Sequence, residues 1–471
     1  MEFEAVIGLE IHVQMNTKSK MFSSSPVAFG GEPNTRVAPL DMAMPGTMPV
    51  VNKQAVINAI RMCHALHMTI DNELWFDRKN YFYSDLAKGY QISQHERPIG
   101  KNGYLDINVS SGTERIFVDK LQIEEDTCKQ LHLKDCSLLD YNRSGIPLLE
   151  IVSKPMLRTG EEAMKYVEKI KSIVTFLGVS DGKMEEGSLR CDVNISLKEK
   201  SSDKLGAKVE IKNLNTLNNI RKAVEYEIER QQNILLEDKQ VEQDTRRFDE
   251  FSKKTVKMRL KTDSIDYKFF MDPNLPPVRL SDEFINNAIK TSPELAEERY
   301  SRYLKLGLSK YDSSLLVSTK EISDYFDEVI SNGVKPKLAT NWINVDIQTI
   351  LKKNNISITD FSIRSDRLSA LLKLIEEEKI SNKEAREIFS NMLKCSKGPG
   401  EFVNDKKSIN KDELRSMVNQ LLDSNNQLVT DYKNGKDKII GYVVGQILKA
   451  TQGNVNPNMT KEIVVEELQR R

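Results

Sequence analysis

Residues 6–14, with the sequence VIGLEIHVQ, place three polar side chains on one face of a predicted strand. Side chains along a strand point alternately to its two faces, so the other face here is apolar. The polar face carries a carboxylate, an imidazole and an amide, from Glu10, His12 and Gln14. Carboxylate oxygens bind hard cations, and an imidazole nitrogen is a borderline ligand. The pattern therefore suggests a metal site if further acids join it in the fold.

Glu125 and Glu150 are two acids that the patterns around them do not explain. In RIFVDKLQIEEDT, counting back by twos from Glu125 gives a mainly apolar face that ends at this acid. In IPLLEIV, Glu150 is the one acid of an otherwise apolar predicted strand. A buried carboxylate is costly unless it meets a cation, hydrogen-bond donors or a proton. If the three segments converge, their acids would join His12 in one divalent-metal site. Otherwise each acid pairs with a separate Lys or Arg.

Two neighbouring predicted strands, 188–198 and 207–213, form a second polar face. Their outward side chains alternate with apolar ones, and the charged members of these two rows include Arg190, Asp192, Lys208 and Lys212. A hairpin between the strands would set the two polar rows side by side. A solvated edge of the sheet produces the same pattern, so both interpretations stay open.

The segment 76–94, FDRKNYFYSDLAKGYQISQ, mixes cations with aromatic side chains. The candidates for binding within it are Arg78, Lys79, Tyr81, Tyr83, Lys88 and Tyr90. Cations beside stacking surfaces suit phosphates and unpaired bases. Aromatic clusters also occur in protein cores, which is the alternative interpretation of this segment.

The composition restricts the classes of function. The 471 residues include 69 basic and 69 acidic side chains, so nucleic-acid binding would depend on local patches. The five cysteines form no C-x-x-C pair, which favours reduced thiols in an intracellular protein. With neither a signal peptide nor a bilayer-spanning segment, we expect a soluble, cytoplasmic chain. The G-x-x-x-x-G-K-[ST] and G-x-G-x-x-G motifs are absent, so the sequence predicts no standard nucleotide cradle.

The hydrophobic patterns predict an α+β fold. Short alternating segments over residues 1–290 indicate a cradle-like domain with a mainly antiparallel sheet and flanking helices. Helical patterns replace them from residue 291 onwards. We therefore predict an all-helical domain over 291–400 and a small helical tail module over 406–471. The polar stretch 393–410 would be the linker between them.

Six long segments resemble, in order, the motifs of one known family, the B subunits of bacterial-type aspartyl/glutamyl-tRNA(Asn/Gln) amidotransferases. The segments are VIGLEIHVQ, SKMFSSSP, FDRKNYFYSDLAKGYQISQ, GVSDGKMEEGSLRCDVNIS, VEIKNLN and YKNGKDKIIGYVVGQILKATQGNVNP. They extend from residue 6 to about residue 457, so the resemblance covers essentially the whole chain.

The resemblance implies a ligase reaction that depends on ATP and Mg²⁺. Members of the family work with a glutaminase A subunit and a small C subunit, and amidate Glu or Asp mischarged onto tRNA(Gln) or tRNA(Asn). ATP phosphorylates the side-chain carboxylate, and ammonia from the A subunit displaces the phosphate. The chain has no recognisable glutaminase nucleophile of its own, in keeping with this division of labour.

The resemblance also implies roles for the residues named above. The metal ligands would be Glu10, His12, Glu125 and Glu150. Lys79 would offset phosphate charge, and Asp192 would serve in the catalytic pocket, which is also lined by Arg190, Lys208 and Lys212. ATP and the acceptor end of the tRNA would meet Arg78, Tyr81, Tyr83, Lys88 and Tyr90. The tail 406–471, with 11 basic and 8 acidic residues, would bind the body of the tRNA.

The chain departs from many relatives in one segment. Residues 34–46 often carry a zinc-associated C-x-x-C pair in the family, but they contain no cysteine here, so we predict no structural zinc. The alternative function is a non-catalytic tRNA-binding scaffold whose chemistry lies in partner chains. Glu150 favours the enzyme, because RNA binding by itself has no use for an isolated strand acid.

Overall fold

A computed structural model describes residues 2–202, 204–260, 266–403, 411–433, 436, 438–451, 455 and 457–471. The chain forms two compact units, Met1–Ala296 and Glu297–Arg471. No helix in the described ranges is long and apolar enough to cross a membrane.

The first unit contains all the strands that the structure describes. In chain order they are β1 Phe3–Gln14, β2 Thr69–Ile70, β3 Glu73–Leu74, β4 Asp77–Asn80, β5 Tyr90–Ser93, β6 Gly100–Val109, β7 Gly112–Glu125, β8 Lys129–His132, β9 Ser137–Asp140, β10 Pro147–Ser153, β11 Leu189–Glu199, β12 Val209–Lys212, β13 Asp244–Asp249, β14 Lys254–Leu260, β15 Phe270–Met271 and β16 Val278–Arg279. Its helices are α1 Lys53–Ala65, α2 Gly160–Phe176, α3 Leu217–Leu236 and α4 Asp282–Lys290.

Nine of these strands form one large sheet, in the order β14-β13-β12-β11-β1-β10-β7-β6-β2. Neighbouring strands are antiparallel except β12 and β13, which are parallel. The predicted α+β class with a mainly antiparallel sheet is therefore confirmed. Strands β15, β4 and β5 form a second, three-stranded sheet, called the small sheet below.

Helices α1, α2 and α3 cover one face of the large sheet. On β1 the buried Leu9, Ile11 and Val13 belong to the same hydrophobic core as Val56 of α1 and Tyr166 of α2. The predicted alternation along β1 is thus present, with its apolar side chains in the core. The opposite face of the sheet, called the polar face below, keeps the side chains of Glu10 and His12.

The second unit is helical in its described residues. Its helices are α5 Ala296–Lys305, α6 Lys310–Leu316, α7 Lys320–Ser331, α8 Pro336–Asn341, which continues as a π-helical turn Trp342–Ile347, α9 Gln348–Asn354, α10 Ser365–Glu376, α11 Asn382–Met392, α12 Lys411–Asp423, α13 Asn426–Lys433, α14 Lys438–Ala450 and α15 Pro457–Arg470. Short 3₁₀ turns lie at Ile358–Asp360 and Pro399–Glu401.

Two separate hydrophobic cores lie within the second unit. One is built around Tyr303, Phe326 and Trp342, and the other around Val418 and Val443. The sequence predicted two domains here, and the structure groups both cores in one compact unit. Of the predicted linker, residues 404–410 lie outside the described residues.

Candidate active site

The central strand β1 holds Glu10 and His12 between strands β10 and β11. His12 lies opposite Glu150 of β10 and opposite Arg190 of β11. Glu10 lies opposite Asp192 of β11. Because paired residues of neighbouring strands point to the same side of a sheet, all these side chains share the polar face.

Glu10, His12 and Glu150 form a compact cluster, called the acid cluster below. His12 Nε2 lies 3.6 Å from Glu10 Oε1 and 3.7 Å from Glu150 Oε2. One donor atom from each residue lies within 4.8 Å of the others, and no other such group of His, Cys, Asp and Glu occurs among the described residues. Both measured separations are longer than a normal hydrogen bond, and they are compatible with one cation shared by the three side chains.

Burial and the mutual effects of the charges set the ionisation of the acid cluster. Burial raises the pKa of the Glu10 carboxyl, and the charge of Glu150 raises it further. Burial lowers the pKa of His12, but Glu150 and Glu10 outweigh this effect and leave that pKa raised. Burial opposes ionisation of Glu150 as well, yet His12, Lys120 and Lys79 hold its pKa below the usual range. His12 and Lys212 offset these effects on Glu10 only in part, and a bound cation would favour its ionised form further.

Glu124, rather than Glu125, lies on the polar face. In the pairing of β7 with β10, Glu124 is opposite Leu148 and Glu125 is opposite Pro147. Leu148 precedes Glu150 by two residues, so Glu124 points to the same side as Glu150. Glu124 is buried, and burial together with the charge of Glu150 raises its pKa to about 7.

The structure does not bring Glu125 into the acid cluster, so the four predicted metal ligands do not all meet. The Glu125 carboxylate accepts a hydrogen bond from the backbone N–H of Ile92 at 3.1 Å. It also forms a nearly buried ion pair with Lys88. The interpretation that each acid pairs with its own cation therefore applies to Glu125, whereas Glu10 and Glu150 meet His12.

Lys79 belongs to the small sheet, and its side chain points towards the polar face of the large sheet. Across the pairing of β4 with β5 it lies opposite Gln91, and Ser93 shares its side of the sheet. Both neighbours donate hydrogen bonds to Glu124, Gln91 at 3.3 Å and Ser93 at 2.5 Å. Burial lowers the pKa of Lys79, but the charges of Glu124 and Glu150 outweigh it and leave that pKa raised.

Arg78, Lys88 and Tyr90 form a separate group on the other side of β4. Arg78 pairs with Asp272 at 2.8 Å, and its guanidinium carbon lies 3.9 Å from the centroid of the Tyr90 ring. Lys88 Nζ lies 5.5 Å from the same centroid and is paired with Glu125. The cations predicted to contact phosphate at these positions are therefore engaged by carboxylates.

Tyr81 and Tyr83 occupy different environments. The Tyr81 ring contacts Tyr267 edge to face, with 5.9 Å between centroids. Burial and the charges of Asp85 and Glu124 raise its pKa. The Tyr83 side chain is exposed. Tyr81 therefore lies close enough to Glu124 for its charge to act on the phenol, whereas Tyr83 faces solvent.

Strands β11 and β12 pair antiparallel, which sets their polar rows side by side. Asp192 accepts a hydrogen bond from Lys212 at 2.5 Å. Arg190 Nη2 donates to Asp126 Oδ2 at 2.6 Å. Lys208 is exposed and precedes β12. Arg190, Asp192 and Lys212 therefore line the polar face as ordered charge pairs.

Sequence reasoning missed Glu124 and Asp126. Burial raises the pKa of Asp126, but Arg190 and Arg143 outweigh it and lower that pKa, and Gln14 donates to the carboxylate at 2.7 Å. Three acids are adjacent in the sequence here, as EED. To choose among them requires the register of β7 against β10, which a single sequence does not contain.

The donor set of the acid cluster fits a divalent cation that prefers oxygen ligands. Two carboxylates and one imidazole could hold Mg²⁺ or Mn²⁺, with remaining positions left for water or substrate oxygens. Lys79 adds a fixed positive charge close to the same acids. Such an arrangement can neutralise the charge of a phosphate and orient it.

Comparisons with known proteins identify the family of the chain. The family model described as the GatB/GatE catalytic domain matches residues 5–286, and the model described as the GatB domain matches residues 324–468. Relatives from Geobacillus thermodenitrificans and Staphylococcus aureus, both named as the B subunit of aspartyl/glutamyl-tRNA(Asn/Gln) amidotransferase, are each 46% identical to the chain. Each match covers 100% of the chain and 100% of the relative. The resemblance of the motifs is thereby confirmed, and the chain belongs to the family of aspartyl/glutamyl-tRNA(Asn/Gln) amidotransferase B subunits.

Proposed function

We propose that this chain contains the ATP-dependent activation site of a tRNA-dependent amidotransferase. In the first step, a side-chain carboxylate oxygen of Glu-tRNA(Gln) or Asp-tRNA(Asn) attacks the γ-phosphorus of ATP, and ADP leaves. In the second step, ammonia attacks the acyl carbon, the bond from that carbon to the phosphate oxygen breaks, and inorganic phosphate and a proton leave. The product is Gln-tRNA(Gln) or Asn-tRNA(Asn).

The convergence of Glu10, His12 and Glu150 next to Lys79 is the observation that supports this proposal. Phosphoryl transfer needs positioned groups and neutralisation of charge rather than a protein nucleophile. A purely tRNA-binding surface would use cations and aromatic rings, because carboxylates repel phosphates. An acid cluster with a half-buried lysine beside it therefore fits the activation reaction better than a scaffold.

The residues of the site have different roles in the proposed reaction. Glu10, His12 and Glu150 would hold Mg²⁺, which when bound neutralises negative charge on the transferring phosphoryl group. Lys79 offers a second positive charge, and its raised pKa keeps it protonated at neutral pH. Glu124 fixes Gln91 and Ser93 of the small sheet and so helps to hold Lys79 over the polar face.

Family membership supports a proposal about the partners of this chain. We propose that a glutaminase A subunit supplies ammonia and that a small C subunit completes a heterotrimer in the cytoplasm, where charged tRNA is used. The names of the relatives support a multi-subunit enzyme, because they describe each relative as one subunit of an amidotransferase.

The activated intermediate itself is the sharpest test of the proposed function. An acyl phosphate reacts with hydroxylamine to give a hydroxamate, so we expect the assembled complex to form a hydroxamate of the tRNA-bound amino acid. The reaction is run with Glu-tRNA(Gln), ATP, Mg²⁺ and hydroxylamine but without glutamine, and the product is measured after release from the tRNA. Hydroxylamine also cleaves the ester between amino acid and tRNA, which gives the α-hydroxamate without ATP, so only the side-chain hydroxamate is counted as product. Omission of ATP is the control and should abolish this side-chain hydroxamate. Amidation that proceeds in the same preparation without any ATP-dependent hydroxamate would contradict the proposal.

A further inference from the structure

Four aromatic side chains of the first unit form a continuous row of ring contacts, called the aromatic row below. Its members are Tyr81, Tyr267, Phe269 and His95. The Tyr267 ring meets Tyr81 at 5.9 Å and Phe269 at 6.1 Å, both edge to face. Phe269 and His95 are stacked in parallel, with 3.9 Å between centroids and 9° between planes.

The aromatic row lies on the side of the small sheet that faces the acid cluster. The pairing of β15 with β4 sets Phe270 opposite Arg78, so the antiparallel register continued by one residue sets Phe269 beside Lys79. The backbone N–H of Asn80 donates to the Tyr267 carbonyl at 3.0 Å, which holds this residue against β4.

A cation lies over Tyr267, an inner member of the aromatic row. Lys79 Nζ lies 5.0 Å from the centroid of the Tyr267 ring. The same lysine responds to the charges of Glu124 and Glu150 on the polar face. The aromatic row therefore passes the candidate active site at Tyr267 and continues from there through Phe269 to His95.

The rings of the aromatic row are not core residues. His95 is exposed, and Tyr81, Tyr267 and Phe269 are only partly buried. A parallel stack whose outer ring is exposed presents a flat surface of the kind on which a nucleobase stacks. Phosphate attached to such a base would extend towards the positive charge of Lys79 beside Tyr267.

We propose that the aromatic row is a stacking surface for a nucleobase, either the adenine of ATP or an unpaired base at the 3′ end of the charged tRNA. This inference rests on the proposed function and adds the residues that hold the base. It assigns a role to the segment YKFF (267–270), for which the sequence patterns alone indicated none.

The test compares binding by three variants of the full-length chain. Phe269→Leu and His95→Leu remove rings of the aromatic row. Phe270→Leu is the matched control, because it removes a ring that is 49% exposed from the adjacent position on the opposite side of β15. Each protein is titrated with ATP, with a complete tRNA(Gln) transcript, and with the same transcript lacking its unpaired 3′-terminal nucleotides.

We expect both row variants to bind one of the natural ligands about ten-fold more weakly, because loss of one base–aromatic stack has an effect of that order. Weaker binding of ATP alone would support the row as an adenine site. Weaker binding of the complete transcript, with the shortened transcript unaffected, would support it as a site for the tRNA 3′ end. Because His95 is exposed, we expect His95→Leu to fold. This variant therefore tests the stacking surface even if Phe269→Leu fails to fold.

Unchanged affinity for every ligand in both row variants would overturn the inference, and so would an equal loss in Phe270→Leu. Hydroxylamine trapping by the wild-type complex separates this outcome from failure of the proposed function. Trapped product together with unaffected binding by the row variants rejects only the stacking surface. Absence of the product rejects the activation site itself, whatever the variants show.

Discussion

Replacement of Glu150 by Gln is expected to reduce ATP-dependent amidation at least about 100-fold while leaving tRNA affinity unchanged. Glu150 is held in its ionised form by His12, Lys120 and Lys79, although burial opposes ionisation. Gln has nearly the same shape, but it removes the charge that a divalent cation requires of its ligand. The measurement is the rate of amidation of Glu-tRNA(Gln) by the assembled complex, together with the Kd for the same tRNA.

Glu114→Gln is the matched control for this prediction, because Glu114 is an exposed acid in β7 of the same sheet. It should leave both the rate and the affinity as in the wild type. Equal loss of rate and affinity in Glu150→Gln would count against a catalytic role and favour the scaffold function.

Replacement of Glu124 by Gln is expected to stabilise the first unit at high pH. Folding raises the pKa of Glu124 from 4.5 to about 7, because burial and the charge of Glu150 disfavour its ionised form. A carboxyl with a raised pKa contributes its full stability below the unfolded value, and that contribution disappears as the pH rises through the folded value. Gln stays neutral throughout; its one carbonyl oxygen can accept from Gln91, and its NH2 group can donate to the Ser93 hydroxyl oxygen. Relative to the wild type, the variant should therefore gain about 2.5 kcal/mol between pH 5 and pH 8.

Hydrogen exchange of the β7 backbone amides measures this effect within the first unit, without assuming that the whole chain unfolds in one step. The variant and the wild type are compared at each pH in the presence of EDTA, so that intrinsic exchange rates cancel and no cation is bound. Glu114→Gln, at an exposed position of the same strand, should show no such dependence. A difference between the Glu124 variant and the wild type that stays constant from pH 5 to pH 8 would contradict the prediction.

Local patterns were sufficient to predict strand β1 and the unusual position of Glu150. The apolar side chains of β1 lie in the core as expected, and Glu10 and His12 share the other face. Glu150 lies between buried neighbours on a central strand, as its apolar flanks indicated. In both cases the information lies within a few residues, since the period of a strand is two.

Register and irregularities of the sheet could not be predicted in the same way. The pairing of β7 with β10 shifts near Val152, with Lys120 opposite Val152 but Val118 opposite the next residue, Ser153. Counting by twos from Glu125 therefore fails beyond this bulge and assigns Phe117 to the apolar face. In the structure Val118 is buried, and Phe117 is 45% exposed.

Contacts between segments that are distant in the sequence could not be predicted either. The charge of Glu124 acts on Lys79, although the two residues belong to different strands of different sheets. Tyr267 and Phe269 join the aromatic row because β15 pairs with β4 across almost 200 residues of chain. Such contacts depend on topology, on which local periodicity gives no information.

ATP hydrolysis by the chain assembled with its A and C partners tests the central claim most directly. The rate is measured with and without Glu-tRNA(Gln) for the wild type, for Glu10→Ala and for the control Glu4→Ala. Glu4 lies on the same strand as Glu10 but pairs with Arg158 at 2.6 Å, away from the acid cluster. We expect hydrolysis that depends on the charged tRNA, persists in Glu4→Ala and is lost in Glu10→Ala. Unchanged tRNA-dependent hydrolysis in Glu10→Ala would contradict the claim and place the activation chemistry on another chain.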